Sequence, residues 1–416
     1  MTPFELAQQR LVDIVRAGGK VDVEVGRRLY ALYKQATFGD CEEDDTFWFA
    51  ERGLSQQQAM IEYTALVDKL SLEPATDFSP NKYFETLITW LLASCSIPQR
   101  QAICVFALFT MFPLTLLAYP LAFALLCFPI TCGPMLIYLT WMLFGDTAAI
   151  SGGRRNLWLQ SSLLGKYFCD YFPITLECSN DNSKVDSFHH HPYVFVYHPH
   201  GVIGLGSFGA FATTGCEFTK LFPGIAVRLL TLDQNFYLPF VREVLLWFGM
   251  CSCSLGACNN LLQRGWSICL LVGGARESLE AQPGEEYRLI LNKRRGFVKV
   301  AIENNAQLVP VVGFGEIDAF DLIQLPNSWW TQHLFQLQVW CCDWLGFTLP
   351  AVWPIPKRGR IRVVVGPPLP SPRSLQQHSG LVGDELVDLL HQEFTKAIEQ
   401  LFNREKSKPE EVIVIL

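Results

Sequence analysis

The sequence predicts an α/β domain, a mostly parallel sheet flanked by helices, preceded by an N-terminal membrane helical hairpin and, before that, a small all-α bundle. From Tyr193 onward, short runs of β-branched and aromatic residues alternate with helix-length amphipathic stretches. No charged residue occurs between Gln101 and Gly145, well beyond the about 20 residues that cross a bilayer as one helix. Residues 4–70 repeat apolar side chains at helical spacing.

The chain has 416 residues, of which 50% are apolar and 18% charged. That is long enough for two or three domains and oily for a water-exposed surface. A net charge of −7 argues against nucleic acid as the main partner. The 14 cysteines include no Cys-x-x-Cys pair, and Cys251, Cys253 and Cys258 have no histidine nearby. They read as reduced thiols, with no metal site.

In the bundle, Phe4, Ala7, Leu11 and Ile14 share a helix face, as do Leu29, Leu32 and Tyr33. Gly53-Leu-Ser55 reads as a helix stop followed by a new N-cap. Residues 1–72 form this unit, and 73–100 form a linker with an apolar helix from Tyr83. Residues 101–145 are interrupted by Pro113, Pro120, Pro129 and Pro134. Two spans, or a re-entrant hairpin turning near Pro129–Pro134, fit better than one long helix. Arg100 before the run and Arg154 and Arg155 after it suggest that both ends face the cytosol. The first residues carry Glu5 and lack the apolar core of a signal peptide. Trp158, Tyr167, Phe168 and Tyr171 then suit either a lipid–water interface or ordinary packing.

In the α/β region (146–405, with 406–416 as a tail) the expected strands are 193–197, 225–232, 268–272, 307–313 and 361–365. Helices are expected at about 203–213, 238–249, 257–264, 295–305 and 383–402. In parallel sheets the chemistry gathers at the carboxyl ends of strands. Three polar turns fall there: His198-Pro-His-Gly201, Gly273-Gly-Ala-Arg-Glu277 and Gly313-Phe-Gly-Glu316. Imidazoles at a strand end are suited to proton transfer near neutral pH, although a structural pair reads the same way.

Competing motifs are weaker. Gly204-x-Gly206-x-x-Gly209 has dinucleotide spacing, but its first glycine lies well past the strand end. His189, His190 and His191 with His198 and His200 could bind a metal, yet no Cys, Asp or Glu completes the set. Leu205 stands where a hydrolase elbow would need glycine before Ser207.

Two stretches resemble known families. Leu29-Tyr-Ala-Leu-Tyr-Lys-Gln-Ala-Thr-Phe-Gly-Asp40, Trp48, Gly53-Leu-Ser, Ala59-Met60 and Tyr63 resemble the acyl-CoA-binding protein family over about residues 4–70. The resemblance implies a four-helix bundle whose ligand-contacting residues fall on Tyr30, Tyr33, Lys34 and Tyr63. The segment between Asp40 and Trp48 is shorter than in that family, and Asp44 and Asp45 stand near the family's second phosphate-facing lysine and its partner tryptophan. A carboxylate repels the CoA phosphate. Either binding is weak or the unit has another task.

Gly152-Gly-Arg-Arg155, Tyr171-Phe-Pro173, His198-Pro-His-Gly201, Leu229-Leu-Thr-Leu232, Gly273-Gly-Ala-x-Glu-Ser278, Arg295-Gly-Phe297 and Leu308-Val-Pro-Val311 with Phe314-Gly-Glu316 resemble the type 2 diacylglycerol acyltransferase family over about 100–405. That family includes monoacylglycerol and wax-alcohol acyltransferases. The resemblance implies an endoplasmic reticulum membrane enzyme, also found on lipid droplets, with acyl-CoA as co-substrate and no other cofactor. It implies transfer of a fatty acyl group to diacylglycerol, with monoacylglycerol or a long-chain alcohol as alternative acceptors. A non-catalytic lipid-binding scaffold is the alternative from another class, and a homo-oligomer is compatible with either.

The wider His-x-x-x-x-Asp acyltransferases carry a local aspartate; here those positions are Ile203 and Leu205. His200 or His198 is then the general base, with a slight lean to His200, and Glu277 orients the imidazole. Backbone N–H groups of Gly201 or Gly274 are the oxyanion candidates. Arg295 and Lys299 at a helix start are the CoA-phosphate candidates.

Overall fold

A computed structural model describes residues 111–156, 159–160, 163–179, 192–280, 283–321 and 356–416, with short pieces at 58, 60–64, 102, 323, 332–333 and 336–340. The chain divides into two compact units, Met1–Lys82 with Gly224–Ala226, and Tyr83–Pro223 with Val227–Leu416. In the first, residues 60–64 are helical and Tyr63 is buried. Tyr30, Tyr33, Lys34, Asp44, Asp45 and the expected linker lie outside the described residues.

The second unit opens with α1 (Met111–Cys127) and α2 (Pro129–Thr140), broken at Phe128. Pro129 starts α2, where its missing N–H costs nothing. A π-helical turn, Trp141–Gly145, and a short helix, Ala148–Ser151, follow. Then come α3 (Leu163–Tyr171), β1 (Ile174–Cys178) and β2 (Tyr193–His198). Leu205–Ser207 and a π turn, Phe208–Ala212, cover the sheet, and Phe218–Leu221 adds one more turn before β3 (Val227–Thr231). The rest runs α4 (Val241–Trp247), β4 (Cys251–Ser252), α5 (Leu255–Gln263), β5 (Ser267–Leu271) and α6 (Gly274–Glu280). After these come β6 (Glu286–Leu289), α7 (Gly296–Glu303), β7 (Gln307–Phe314), β8 (Ile361–Val365), α8 (Pro372–Ser379), α9 (Asp384–Glu405) and β9 (Val412–Ile415).

The α1–α2 pair turns back on itself. Tyr119 of α1 donates its hydroxyl to the Tyr237 carbonyl at 3.2 Å, and Tyr138 of α2 accepts the Phe240 N–H at 3.0 Å. Both helices therefore reach the same few residues before α4, which a straight pair could not do. The helices have 17 and 12 residues, about 25 and 18 Å at the helical rise, against about 30 Å of hydrocarbon. Among the described residues no helix is long and apolar enough to cross a membrane. The hairpin nonetheless exposes Phe123, Phe128, Ile130, Ile137 and Phe144, a larger apolar surface than a water-facing unit tolerates.

Seven strands form one sheet in the order β1-β8-β7-β2-β5-β3-β4. β2 lies between β5 and β7, parallel to both, with Val194 beside Ile268 on one side and Leu308 on the other. β8 runs antiparallel to β7, and β1 pairs parallel with β8. The sheet is thus mixed and mostly parallel. Burial on both faces explains why β2 is apolar or aromatic at every position up to His198.

Side chains alternate across a strand. Val194 and Val196 join one core with Leu261, Phe297, Ala301, Leu390, Phe394 and Ile398, from α5, α7 and α9. On the other face Phe195 packs against Phe211, Phe218 and Phe222. Phe168, which suited interface and packing equally, is buried against Phe208, and Phe172 is buried beside it. Residues 406–416, expected as a tail, instead contribute β9, which pairs with β6 from Glu286↔Val412 to Leu289↔Ile415. The β-branched run Val412-Ile-Val-Ile415 carries the strand signal.

Arg154 and Arg242 tie the end of the hairpin to α4. Both pair with Asp146 and with Glu243, and the guanidinium of Arg154 stands 4.6 Å over the Trp141 ring. Arg242 is 2% exposed, and these two carboxylates compensate its buried guanidinium. Arg154 is therefore engaged within the protein.

Candidate active site

β2 ends at His198 because Pro199 follows with no N–H to continue the ladder. His198 lies on the α7–α9 face and is fully buried. Its Nδ1 stands 3.2 Å from Oε2 of Glu277, in the first turn of α6 after β5. Glu277 also accepts the backbone N–H of His200 through Oε1, and that of Ile290 through Oε2 at 3.0 Å. Burial alone would raise the Glu277 carboxyl. The neighbouring His198 imidazole and these hydrogen bonds outweigh it and hold the carboxyl below the ordinary carboxylate range. Nε2 of His198, the remaining ring nitrogen, is buried and has no hydrogen-bond partner among the described residues.

His200 is placed differently. Its backbone, not its ring, meets Glu277. The ring Nδ1 lies 3.2 Å from both Ser278 Oγ and the Gly201 carbonyl, and desolvation pushes the imidazole below its ordinary value. Of the two histidines, the fold couples the His198 side chain to the carboxylate, against the slight lean to His200.

Gly201 and Gly274 both adopt φ near +60°, the left-handed region that favours glycine. Gly201 sits in the histidine turn and Gly274 opens α6, so their N–H groups flank the same strand ends. α7 runs back antiparallel before β7, which brings Arg295 to the carboxyl edge of the sheet. Arg295 pairs with Asp388 at 2.7 Å and Lys299 with Asp384 at 3.6 Å, both on α9. The two phosphate candidates are thus already matched by carboxylates, while Lys293 and Arg294 in the preceding turn are exposed.

The glycine-spaced stretch opens the Leu205–Ser207 turn, but the Gly206 N–H donates to Glu316 at 2.8 Å. A carboxylate where a pyrophosphate would lie excludes the dinucleotide reading. His189, His190 and His191 lie outside the described residues, and among the described residues no cluster of three metal-ligating side chains occurs.

Glu316 ends the third of the polar turns named from the sequence, where it carried no role of its own, and Tyr197 carried none either. Glu316, at the carboxyl end of β7, is 1% exposed and accepts the Tyr197 hydroxyl at 2.7 Å. Their signal was a tyrosine directly before the histidine turn and a charged residue directly after a buried strand.

A family profile described as diacylglycerol acyltransferase matches residues 124–414. The chain is 38% identical over 299 residues to diacylglycerol O-acyltransferase 2 of Dictyostelium discoideum, covering 69% of this chain and 86% of the relative. It is 35% identical over 283 residues to diacylglycerol O-acyltransferase 2 of Homo sapiens, covering 65% and 70%. It is 36% identical over 285 residues to 2-acylglycerol O-acyltransferase 1 of Bos taurus, covering 65% and 81%. Among solved structures, the 1-acyl-sn-glycerophosphate acyltransferase of Thermotoga maritima aligns over 72% of this chain and 98% of its own, at 12% identity and a TM-score of 0.33.

Proposed function

The chain belongs to the diacylglycerol acyltransferase family, and from that premise we propose that it moves a fatty acyl group from acyl-CoA to the free hydroxyl of diacylglycerol, with His198 as general base. One observation carries the residue assignment: a fully buried imidazole whose Nδ1 is held by Glu277 and whose Nε2 has no partner among the described residues. A hydroxyl is a poor nucleophile at neutral pH. Glu277 keeps the Nδ1 proton in place, so Nε2 is the atom that accepts the hydroxyl proton as the oxygen attacks the thioester carbonyl. The acyl C–O bond forms, the C–S bond breaks, and the proton passes from Nε2 to the departing CoA thiolate. Backbone N–H groups of Gly201 or Gly274 face the developing oxyanion. Lys293 and Arg294, beside Arg295 and Lys299, offer cations to the CoA phosphates.

The exposed apolar hairpin supports a seat in the endoplasmic reticulum membrane or on a lipid droplet, with both ends cytosolic. An apolar acceptor then enters the site from the lipid. Its short helices favour a re-entrant insertion. The N-terminal unit gathers acyl-CoA near the site; deleting residues 1–75 raises the apparent KM for acyl-CoA and leaves kcat intact, and an unchanged KM removes this role.

The test supplies membranes containing the protein with labelled oleoyl-CoA and, in separate reactions, diacylglycerol, monoacylglycerol or a fatty alcohol. Label in triacylglycerol that His198→Ala abolishes supports the proposal. Label transferred only to monoacylglycerol supports the second reading, favoured by the similarity to the bovine 2-acylglycerol enzyme. No product with any hydroxyl acceptor supports a binding scaffold.

A further inference from the structure

The end of β2 is gripped from both faces of the sheet, and only one grip belongs to the His198–Glu277 pair. Tyr197 and His198 are adjacent in the strand and so point to opposite faces. His198 meets Glu277, which follows β5; Tyr197 meets Glu316, which follows β7. Each carboxylate also takes a backbone N–H from the turn beyond the strand, Glu277 from His200 and Glu316 from Gly206. The stretch from 197 to 206 is thereby fixed at four points by carboxylates from the two strands that flank β2.

We propose that Glu316, through the Tyr197 hydroxyl and the Gly206 N–H, is a positioning residue that sets the His198 imidazole and the Gly201 N–H for acyl transfer. The inference rests on the acyltransferase reading above.

Three glycines support it. A Cβ at Gly201 would stand 2.7 Å from Cγ of Glu316, and one at Gly206 would stand 2.6 Å from Oε2 of Glu316. A Cβ at Gly313 would collide with the Tyr197 ring. The histidine turn, the helix start and the end of β7 each give up a side chain to let this pair sit between them. A buried carboxyl costs more than an apolar side chain of the same size. Desolvation pushes Glu316 up to about 7, against the hydrogen bonds from Tyr197 and Gly206 that pull it down. Two hydrogen bonds are accepted by the same oxygen. Acceptance, rather than charge, is what the site uses, and a glutamine oxygen can supply it.

The experiment compares wild type, Glu316→Ala, Glu316→Gln and Tyr197→Phe in membranes. Each is assayed for kcat and KM, and for modification of individual histidines by diethyl pyrocarbonate, read by mass spectrometry. Glu316→Ala is expected to lower kcat about a hundredfold, as a slight misplacement of a reacting group does, with KM for acyl-CoA unchanged. Glu316→Gln restores most of the rate and Tyr197→Phe falls between. Modification of His198 or His200 rises in Glu316→Ala, while His391, also buried, on α9, stays protected. Wild-type kcat and unchanged labelling in Glu316→Ala overturn the inference. So does parallel exposure of His391, which marks a merely structural role, or a glutamine variant as impaired as the alanine one. Labelling does not depend on turnover, so a wild type without acyl transfer defeats the acyltransferase reading while the histidine labelling still decides the positioning claim.

Discussion

Nδ1 of His198 lies 3.2 Å from Oε2 of Glu277, and both side chains are fully buried although one ends β2 and the other follows β5. Strand pairing makes the contact: β2 and β5 run parallel in register, so their carboxyl ends, and the turns that follow, arrive side by side. The histidines are thereby unequal. His198→Ala is expected to lower kcat by about 10²- to 10⁴-fold and His200→Ala by about tenfold or less, when equal amounts of membrane-inserted protein are compared. Equal losses would remove the assignment.

Glu277→Gln separates orientation from shape. The amide fills the same space but presents an N–H₂ group either to the His200 N–H or to both His198 Nδ1 and the Ile290 N–H. A kcat loss of about a hundredfold or more is expected with little change in KM. A glutamine variant with wild-type kcat would mean that the carboxylate has no part in orienting the base.

Arg242→Ala leaves Asp146 and Glu243 short of one guanidinium at the foot of the hairpin. Removing one partner of a buried ion pair destabilises by about 3–5 kcal/mol. Thermal unfolding in detergent should register this as a clear fall in Tm, and a Tm within error of wild type would show that Arg154 suffices alone.

Deleting residues 412–416 removes β9, and with it the Leu416 carbonyl that accepts the N–H groups of Leu291 and Asn292. Ile290, which donates to Glu277, sits directly before them. Several lost ladder bonds and the uncovered apolar surface should cost about 3 kcal/mol or more. The deletion should also lower kcat. Retention of full kcat would separate β9 from the site.

Glu316 gives stability a pH dependence of defined sign. Its folded-state value is raised to about 7 from the ordinary 4.5. The folded protein therefore binds this proton more tightly than the unfolded chain, and the contribution to stability falls as pH rises from about 4.5 to about 7, then levels off. The difference is about 3 kcal/mol. Glu316→Gln should remove it, so its Tm advantage over wild type should grow between pH 5 and pH 8. Glu277 has the opposite sign: its carboxyl is held low, so its contribution is present above the ordinary carboxylate value and is lost as pH falls through the folded one.

The sequence by itself determined the central strand, its histidine turn, the three polar turns at strand ends and the uncharged run, because each is written in local composition. β2 is β-branched or aromatic from Tyr193 to Tyr197, and buried parallel strands require that pattern. Short strands escaped: β4 has two residues and β6 four, too few to show a period. The reversal of β8 against β7 escaped as well, because a strand's direction is fixed by the connection before it and not by its own residues. Only the tertiary structure decided which histidine meets Glu277. His198 is the last strand residue, so the pleat fixes its direction; His200 lies past Pro199, where the chain turns and offers its backbone. Tyr197 and Glu316 became a pair for the same reason. They stand far apart in sequence, and the register of β2 on β7 brings them within hydrogen-bond reach.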